Sequence, residues 1–589
     1  MIFQLTISSA DLGVGVRRKR EFYMTQSLLQ GSTSYSKGPD TPPLIDLCIG
    51  QVLDQMAERY PESPALVIRH QNLRFNWREL HAEVERTARG LMALGFAKGD
   101  RVGIWATNVS QWVLMQFATA KTGIILVNLN LRFRAHELEF VLKQASCKGL
   151  VMLHAFRDCD YVETVRQLAP EIDASLPGQL QSAKLPHLRQ VVYIGENPPA
   201  GMLSWDQMLA QGDRVSTAEL RAREAGLNTH DTINIQYTSG TTGTPKGAEL
   251  SHYNVVNNGQ FIGDSMKLTE RDRVCIPVPF YHCFGMVLGN MACLTHGSTM
   301  VIPADFFDPL ATMETVHEER CTALYGVPTM FIAELNHPRF EEFDFTSLRT
   351  GIMAGSLCPI ELMRRAIRDM HCAEMTICYG LTESSPVITQ TLTDDTLERK
   401  TTTVGRALPH TEVKLVDPNT GQQVPLGTNG ELCTRGYLVM NGYHNDPVGT
   451  KATIEPDGWL HSGDIASMDE HGYVVITGRL KEMIIRGGEN IYPREIEEYL
   501  YSCPGIKDVQ VIGVPSEKYG EEVMAWVIPH DGVTLEAETI QAFCRGQIAS
   551  FKVPKYVKFV DSFPTTVTGK VQKFIMRRMA VEEMGLTHE

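Results

Sequence analysis

The stretch Tyr237-Thr-Ser-Gly-Thr-Thr-Gly-Thr-Pro-Lys-Gly247 decides how the rest of this 589-residue chain is interpreted. It follows residues 233–237, whose apolar alternation predicts a strand, so it forms a loop at the end of a strand. Its glycines and hydroxyl side chains provide N–H and O–H donors on a backbone that a polyanion can approach closely, and Lys246 adds a positive charge. The loop therefore predicts a phosphate-binding site.

The loop differs from the Walker P-loop, which requires Gly-Lys-Ser/Thr at its end. Here Pro245 precedes Lys246 and Gly247 follows it. The chain also has no Gly-x-Gly-x-x-Gly fingerprint after a strand, the pattern typical of dinucleotide binding. Both common nucleotide-binding motifs are therefore excluded.

The composition excludes several classes of protein. With 43% hydrophobic and 21% charged residues, the chain is neither disordered nor fibrous. Its net charge of −14 disfavours nucleic-acid partners and broad anionic surfaces, which need a basic face. No apolar run approaches the ~20 residues of a membrane span, which leaves room only for weak peripheral contact with a membrane. The 13 cysteines lack metal-ligand spacing and predict reduced thiols.

The order of predicted elements indicates an α/β fold. Apolar runs alternate with amphipathic helical patterns, which favours largely parallel sheets covered on both faces. The predicted elements are a helix at 49–60, a strand at 102–106, a helix at 110–121, a strand at 123–127 and a helix at 137–147. Residues 172–230 hold several loop signals and resist assignment. Short alternating strands follow at 405–478, and a small α+β domain with a helix that begins at Pro493 follows a charged joint.

We expect three regions along the chain. Residues 1–44 are interpreted as a disordered lead-in or an over-long start, with Met24 as the natural initiator. The alternative for the basic block at 17–20 is an Arg-rich organelle presequence. Residues 45–479 form a large domain, and residues 480–589 form a small C-terminal cap.

Further motifs follow the loop: Tyr281-His-Cys-Phe-Gly285, Ala354-Gly-Ser356, Tyr379-Gly-Leu-Thr-Glu383, Gly430-Glu-Leu-Cys-Thr-Arg-Gly436, Trp459-Leu-His-Ser-Gly-Asp464, Gly478-Arg-Leu-Lys481 and Thr568-Gly-Lys570. In this order they resemble the adenylate-forming superfamily over about residues 45–580. Within it, residues 236–239, 251–258 and 484–493 are similar to the medium-chain acyl-CoA synthetase family member 2 type. The resemblance implies an N-terminal domain of two α/β sheet subdomains and a small β-barrel-like part, with a mobile α+β C-terminal domain.

The resemblance also implies how ATP is bound. Glu383 would coordinate Mg²⁺, and Thr382 would hydrogen-bond the α-phosphate. Tyr379 and its neighbour Gly380 would lie against adenine, and Asp464 and Arg479 would hold the ribose. The loop residues assigned to the phosphates are Thr238, Ser239, Gly240, Thr241, Thr242, Gly243 and Lys246, and the small walls beside the base are Ala354, Gly355 and Ser356.

The C-terminal residues carry the roles that the resemblance assigns to two half-reactions. Lys570 is the expected catalytic lysine, which would bind the carboxylate and the α-phosphate while the adenylate forms. Rotation of the cap about Lys481 would then withdraw Lys570 and bring in Gly487 and Gly488 beside a pantetheine tunnel. A side chain at position 488 would narrow that tunnel.

Three residues are candidates for the pocket that would hold the acyl chain. Acetate-activating relatives carry a Trp where this chain has Gly380, so the pocket is expected to be open. Residues 284–294 form either an acyl-channel wall that begins at Phe284 or a plain buried helix. His282 is either a gate to this channel or a structural histidine.

The sequence therefore predicts an AMP-forming fatty acid–CoA ligase of medium- to long-chain preference, with ATP and CoA as co-substrates and Mg²⁺ as cofactor. The alternatives are a CoA ligase for an aryl or thioether acid and a non-catalytic nucleotide-binding relative. Because only 19 residues follow Lys570, free CoA is the expected acceptor rather than a carrier domain. A cytoplasmic location is expected, with the mitochondrial matrix as the alternative if the N-terminus is a presequence. The oligomeric state, monomer or homodimer, stays open.

Overall fold

The computed structural model describes residues 28–29, 32–238, 245–356, 358–487, 489–565 and 571–585. Two large sheets, mostly parallel, form the body of residues 49–407. The helices that cover them are Ile49–Arg59, Trp77–Ala93, Ser110–Thr122, Ala135–Gln144, Tyr161–Leu168, Trp205–Gln211, Thr217–Glu224, His252–Ser265, Ala292–His296, Pro309–Glu319, Pro328–Leu335, Ile360–Asp369 and Leu397–Thr402. A π-helix, Phe284–Met291, runs directly into Ala292–His296.

The first sheet has eight strands, two of which stand on either side of the predicted phosphate-binding loop (the phosphate loop, residues 238–246). Its strands, in spatial order, are Leu203–Ser204, Gln190–Tyr193, Gly149–Met152, Arg101–Trp105, Ile125–Asn128, Thr232–Thr238, Lys246–Ser251 and Gly442–Tyr443. The first six run parallel, and the last two add antiparallel pairs. The parallel strands are apolar and buried because helices cover both faces of the sheet.

The second sheet has seven strands, and only its last pair is antiparallel. In spatial order the strands are Glu374–Thr376, Thr350–Met353, Ala323–Gly326, Arg273–Cys275, Thr299–Ile302, Pro64–Ile68 and Leu73–Asn76. One large hydrophobic cluster contains residues from both sheets, so the two are packed into a single body. The predicted α/β class is confirmed.

Antiparallel strands make up the next part of the chain. Six of them form one sheet in the order Leu28–Leu29, Tyr35–Lys37, Thr411–Val416, Gly430–Gly436, Leu460–Met468 and Val474–Arg479. Three more, Cys378–Gly380, Val387–Gln390 and Arg406–Ala407, form a small sheet, and Ala155–Phe156 pairs with Cys159–Asp160. Along the chain, the helix Pro447–Thr453 follows the strand Gly442–Tyr443 and precedes the strand Leu460–Met468.

The expectation of a disordered lead-in is wrong for its second half. Tyr35–Lys37 pairs with Thr411–Val416, and Tyr35 donates a hydrogen bond to Glu412 Oε2 at 2.6 Å. Ser34 Oγ also donates to Pro425 O at 2.9 Å. This segment is ordered because the partner strand supplies its hydrogen bonds, although its own composition is that of a loop. The basic block at 17–20 and Met24 lie outside the described residues.

The C-terminal part contains a sheet of Glu489–Ile491, Ile484–Arg486, Gly520–Pro529 and Ile506–Ser516, with Tyr556–Phe559 parallel to Gly520–Pro529. Its helices are Pro493–Leu500, Ala537–Cys544 and Lys573–Met584. Two hydrophobic clusters fill it, and neither contains a residue before Ile484. The ring of Tyr492 lies over Gly478, where the helix Pro493–Leu500 meets the strand Val474–Arg479.

Most predicted elements of the large part occur within a few residues of their predicted bounds. The strand expected from residue 123 begins at Ile125 because Gly123, with φ +70°, ends the preceding helix in the left-handed conformation. The unassigned stretch 172–230 supplies an outer edge of the first sheet and two helices, Trp205–Gln211 and Thr217–Glu224.

The cysteines agree with the expectation from their spacing. All 13 are buried free thiols, as the lack of paired spacing predicts. Among the residues that the structure describes, no helix combines the length and the apolar character that crossing a membrane requires.

Candidate active site

The phosphate loop connects two strands that are directly paired. Thr238 and Lys246 stand opposite each other at the ends of Thr232–Thr238 and Lys246–Ser251. The Thr238 hydroxyl donates to Lys246 O at 3.4 Å. Both loop stems therefore leave the sheet at one point. Ser239, Gly240, Thr241, Thr242 and Gly243 lie outside the described residues.

Tyr443 connects the loop stem to the expected magnesium ligand. It lies on the short strand beside Lys246–Ser251, and Lys246 Nζ stands 4.7 Å from the centre of its ring. Its hydroxyl donates to Glu383 Oε1 at 2.8 Å. Burial, followed by the charge of Glu383, raises the pKa of Tyr443 above its usual range, so the phenol stays protonated and donates. Tyr443 therefore contacts both Lys246 and Glu383.

Thr382 and Glu383 begin a short 3₁₀ turn, Thr382–Ser384. The Leu381 N–H donates to Ser384 Oγ at 3.1 Å, and the Met440 N–H donates to Glu383 O at 2.9 Å, which fix the turn at both ends. The Thr382 hydroxyl faces the buried thiol of Cys283, which donates to Gln236 Oε1 at 3.1 Å. The turn is therefore held against the strand that enters the phosphate loop.

Three of the predicted nucleotide residues form a second cluster around Asp464. Tyr379 donates to Asp464 Oδ2 at 2.7 Å, and Arg479 Nε lies 3.1 Å from Asp464 Oδ1. Asp464 and Arg479 face each other across two antiparallel strands, so the register itself sets this pair. Burial and the charge of Asp464 raise the pKa of Tyr379 well above its usual range.

Arg479 links the two clusters electrostatically. Burial lowers its pKa, but the carboxylates of Asp464, Glu482 and, more weakly, Glu383 outweigh burial and raise it. The guanidinium therefore remains charged. Tyr379, which bonds Asp464, lies on the strand Cys378–Gly380 only four residues before Glu383 in the turn Thr382–Ser384, so the Asp464 cluster and the Glu383 cluster adjoin.

The predicted small walls follow the strand Thr350–Met353. Gly355 has φ +91°, a conformation that a side chain would strain, and the Val327 side chain lies 3.1 Å from where a Cβ would stand. Ser356 is exposed. At Gly380 a Cβ would stand 1.8 Å from Pro386 O, so a larger residue requires the backbone to move. This close approach is a local reason for glycine at 380, independent of the acyl pocket.

The acyl-pocket candidates occupy contrasting surroundings. His282 is exposed, and its Nδ1 accepts from the Phe284 N–H at 3.2 Å. Phe284 is buried and begins the π-helix Phe284–Met291, with its ring centre 5.9 Å from that of Tyr325. Gly289 permits close packing on Ile276, whose Cγ2 lies 3.0 Å from where a Cβ on Gly289 would stand. The segment is a buried helix, and whether it also borders an acyl channel stays a prediction.

The expected hinge and tunnel residues lie at the start of the C-terminal part. Lys481 is exposed in the turn Leu480–Glu482. Gly487 has φ +60° and donates its N–H to Tyr519 O at 2.8 Å. Lys570 and Gly488 lie outside the described residues. Thr565 and Val571, on either side of the segment that contains Lys570, form a β-bridge.

With this geometry established, comparison with known proteins identifies the family. The AMP-binding enzyme family matches residues 53–444, and the AMP-binding enzyme C-terminal domain matches residues 495–570. The chain belongs to the AMP-binding enzyme family. The resemblance to the adenylate-forming superfamily is thus confirmed.

Curated relatives refine the comparison. "Putative acyl-CoA synthetase YngI" of Bacillus subtilis is 50% identical over 92% of this chain and 99% of its own length. The mitochondrial medium-chain acyl-CoA ligase ACSF2 of Rattus norvegicus is 44% identical over 95% of this chain and 92% of its own length. The expectation of an acyl-CoA synthetase is confirmed at the level of the family.

Solved structures share the fold. ATP-bound MatB from Rhodopseudomonas palustris has a TM-score of 0.76 at 28% identity, over 91% of this chain and 100% of its own. The Mycobacterium tuberculosis fatty acyl CoA synthetase has a TM-score of 0.71 at 28% identity, over 91% and 99%. Both are similar over the large and the C-terminal parts together.

Sequence reasoning missed Tyr443, the residue that joins Lys246 to Glu383. It stands about 200 residues from the loop, on a two-residue strand that no periodicity reveals. Only its pairing with Ala248 at the sheet edge brings it into the site. A tyrosine that follows glycine in a turn-rich stretch is too common a pattern to have identified it.

Proposed function

We propose that this chain activates a medium- to long-chain fatty acid with ATP and transfers the acyl group to CoA, giving acyl-CoA, AMP and pyrophosphate. The observation that carries the proposal is the single site formed by Asp464 with its two partners and by Glu383 with Tyr443. Its two ends are suited to the two ends of a nucleoside triphosphate, ribose and phosphates.

The ribose end has the acceptor that a diol needs. Oδ2 of Asp464 accepts a hydrogen bond from Tyr379, and Oδ1 forms an ion pair with Arg479 Nε. A carboxylate oxygen has a second lone pair, so both ribose hydroxyls can still donate to Asp464. Tyr379 and Arg479 then hold the carboxylate in the orientation that the diol requires. The face of the Tyr379 ring is our proposed platform for adenine.

The phosphate end has the donor set for a magnesium nucleotide. Mg²⁺ is held in proteins by one or two carboxylates together with phosphate oxygens, and Glu383 supplies one carboxylate. Tyr443 occupies one lone pair of Oε1, which leaves Oε2 as the proposed ligand. When bound, Mg²⁺ supplies positive charge beside the phosphates. Lys246 and the loop 238–243 would hold the β- and γ-phosphates.

Two chemical steps follow from these assignments. In the first, a carboxylate oxygen of the acid attacks the α-phosphorus and pyrophosphate leaves, while Thr382 and Lys570 stabilise the charge on the α-phosphate. In the second, the CoA sulfur attacks the acyl carbon and AMP leaves. We assign Lys570 to the first step and the Gly487–Gly488 turn to the second, with Lys481 as the hinge and residues 45–479 and 480–589 as the two bodies.

Chain length and location are finer proposals. The medium-chain ligase from rat is similar over nearly the whole chain, which favours an acid of at least medium length. His282, Phe284 and Gly380 are the proposed pocket residues. We propose a cytoplasmic location, with the mitochondrial matrix as the alternative, because the similar rat ligase is mitochondrial.

The decisive experiment measures AMP release over a panel of straight-chain acids from acetate to stearate, together with aryl acids, each with and without CoA. We expect CoA-dependent AMP release that is greatest for medium or long chains. Greater release with an aryl acid would replace the fatty acid in the proposal. Absence of CoA-dependent AMP release with every acid would contradict the ligase function itself.

A further inference from the structure

A second group of potential ligands lies in the antiparallel sheet, on the strand that carries Asp464 and on its neighbour Gly430–Gly436. Cys433 and His461 face each other in the register of Gly430–Gly436 and Leu460–Met468. Glu431 lies two residues before Cys433, so its side chain points to the same face of the strand. One atom from each of Glu431, Cys433 and His461 lies within 4.8 Å of the other two.

The contacts within this trio are those of a compact donor set. His461 Nδ1 lies 3.4 Å from Cys433 Sγ and 2.9 Å from Glu431 Oε2. Sulfur, imidazole nitrogen and carboxylate oxygen are the three ligand types that Zn²⁺ takes in proteins. Three protein ligands leave a fourth tetrahedral position for water or another small ligand.

The other ring nitrogen of His461 is also held. His461 Nε2 lies 2.7 Å from Glu455 Oε1. This is the arrangement in which a carboxylate accepts the N–H of a metal-bound histidine and so directs its other nitrogen to the metal. Glu431 is oriented too, because its Oε1 accepts the Gly463 N–H at 3.1 Å.

An ion could reach the trio from solvent. Cys433 is buried, but the side chains of His461 and Glu455 are 28% and 38% exposed, so the imidazole edge is the side of approach. Lys414 Nζ lies 3.6 Å from Glu455 Oε2 and leaves the oxygen that faces His461 unaffected. Metal binding requires an unprotonated ring nitrogen, so a metal ion bound at Nδ1 would take the place of a proton there.

A second trio makes a useful contrast. Asp54, His81 and Glu85 also lie within reach of one another. There, however, the buried Lys121 Nζ stands 2.6 Å from Asp54 Oδ1, and Arg221 pairs with Asp54 and Glu85. The acidic groups are already neutralised by fixed cations, and no sulfur is present. Among the described residues, only these two groups have the spacing that a metal ion requires. Lysine and arginine side chains form ion pairs with the acidic members of the second group.

We propose that Glu431, Cys433 and His461 form a binding site for a thiophilic divalent cation such as Zn²⁺, with Glu455 as the residue that positions His461. The site is separate from the magnesium nucleotide and does not depend on the proposed ligase function. Through Gly463 it adjoins Asp464, so occupancy is expected to affect the ribose end of the active site.

The test uses the full chain, treated with a chelator and titrated with Co²⁺ in the absence of ATP and acid. Cobalt bound to a thiolate gives a charge-transfer absorption band in the near ultraviolet, which oxygen-only sites lack. We expect this band with one Co²⁺ per chain, displaced by Zn²⁺ but not by excess Mg²⁺, which prefers oxygen ligands. No band at millimolar Co²⁺ would overturn the proposal.

Variants assign the band to this site. Cys433→Ser is expected to abolish it, whereas Cys544→Ser, a change at another buried thiol, keeps it. A band that survives Cys433→Ser would overturn the proposal even if Co²⁺ binds. Glu455→Gln should keep the band and weaken Co²⁺ binding about tenfold, the usual effect of losing a carboxylate that orients a ligand histidine. Unchanged binding in Glu455→Gln would overturn the positioning role.

Discussion

The large part of the chain and its C-terminal part hold their functional residues in different ways. In the large part, Asp464 and Arg479 are paired by strand register, and Tyr443 reaches Glu383 from an adjoining sheet edge. In the C-terminal part, Thr565 and Val571 form a β-bridge on either side of the segment that contains Lys570. The residues proposed to bind the nucleotide are therefore preorganised by the sheets, whereas the C-terminal part has hydrophobic clusters of its own.

The hydrophobic clusters sharpen this difference. Among the described residues, the clusters of the large part extend as far as Ile476, and those of the C-terminal part begin at Ile484. No described cluster includes residues from both sides of the turn Leu480–Glu482. Because little apolar surface is shared, rotation about this turn would expose little of either core. We propose that the two half-reactions use different orientations of the cap.

The largest effect is expected for Lys570→Ala, which separates the two regions functionally. Loss of one charged group that stabilises the transition state costs about 10³-fold in rate, so pyrophosphate exchange should fall by about that factor. Transfer of the acyl group from supplied acyl-AMP to CoA should change less than about threefold. Lys507→Ala, at an exposed lysine of the same part, is the control. Equal loss of both half-reactions would contradict the assigned role.

Asp464→Asn tests the preorganised region itself. The amide keeps the shape of the buried Asp464 side chain but leaves Arg479, whose side chain is 45% exposed, without its carboxylate. The amide N–H₂ would also face Tyr379 or Arg479, which are both hydrogen-bond donors. We expect kcat/KM for ATP to fall about 30-fold, consistent with roughly 2 kcal/mol for losing hydrogen bonds to a charged group. The measurement is steady-state adenylation, with thermal unfolding to verify the fold. Glu470→Gln, an exposed carboxylate on the same hairpin, should leave kcat/KM unchanged.

The sequence was sufficient for what local pattern determines. Helical and strand periodicity predicted the covered parallel sheets, and the ordered motifs predicted Tyr379, Asp464 and Arg479 as neighbours in one site. Pairing between strands that are far apart in the sequence could not be predicted from local patterns. Tyr35–Lys37 is a strand only because Thr411–Val416 accepts it, and Tyr443 enters the site only through the edge of the first sheet. The close approach of Pro386 O to Gly380 likewise depends on the folded backbone.

Tyr443→Phe probes the residue that sequence reasoning missed. Phe keeps the ring beside Lys246 and removes the hydroxyl that donates to Glu383. A hydrogen bond to a charged group contributes roughly 1.5 kcal/mol, so the KM for magnesium–ATP should rise about tenfold. Tyr501→Phe removes a similar phenol–carboxylate hydrogen bond, to Asp508, in the C-terminal part and should leave KM unchanged. An unaltered KM in Tyr443→Phe would show that Glu383 needs no support from Tyr443.

The smallest effect is expected at the junction of the two regions. Glu482, beside the expected hinge Lys481, lies 3.6 Å from Lys573 Nζ, and Lys573 also pairs with Glu497 at 2.6 Å. Partly exposed ion pairs contribute about 0.2–1 kcal/mol, so Glu482→Gln should change each half-reaction by no more than about fivefold.

The direction of these changes is more informative than their size. The pair with Lys573 stabilises the arrangement of the hinge turn seen in this structure, so its loss favours any other arrangement. The half-reaction that uses the present arrangement should slow while the other quickens, as measured by pyrophosphate exchange and by CoA transfer from acyl-AMP. Asp531→Asn, which removes an exposed ion pair with Lys507, should change neither rate. If Glu482→Gln slowed both half-reactions equally, the turn would contribute only to stability. That result would contradict the proposal that the cap rotates about this turn between the two half-reactions.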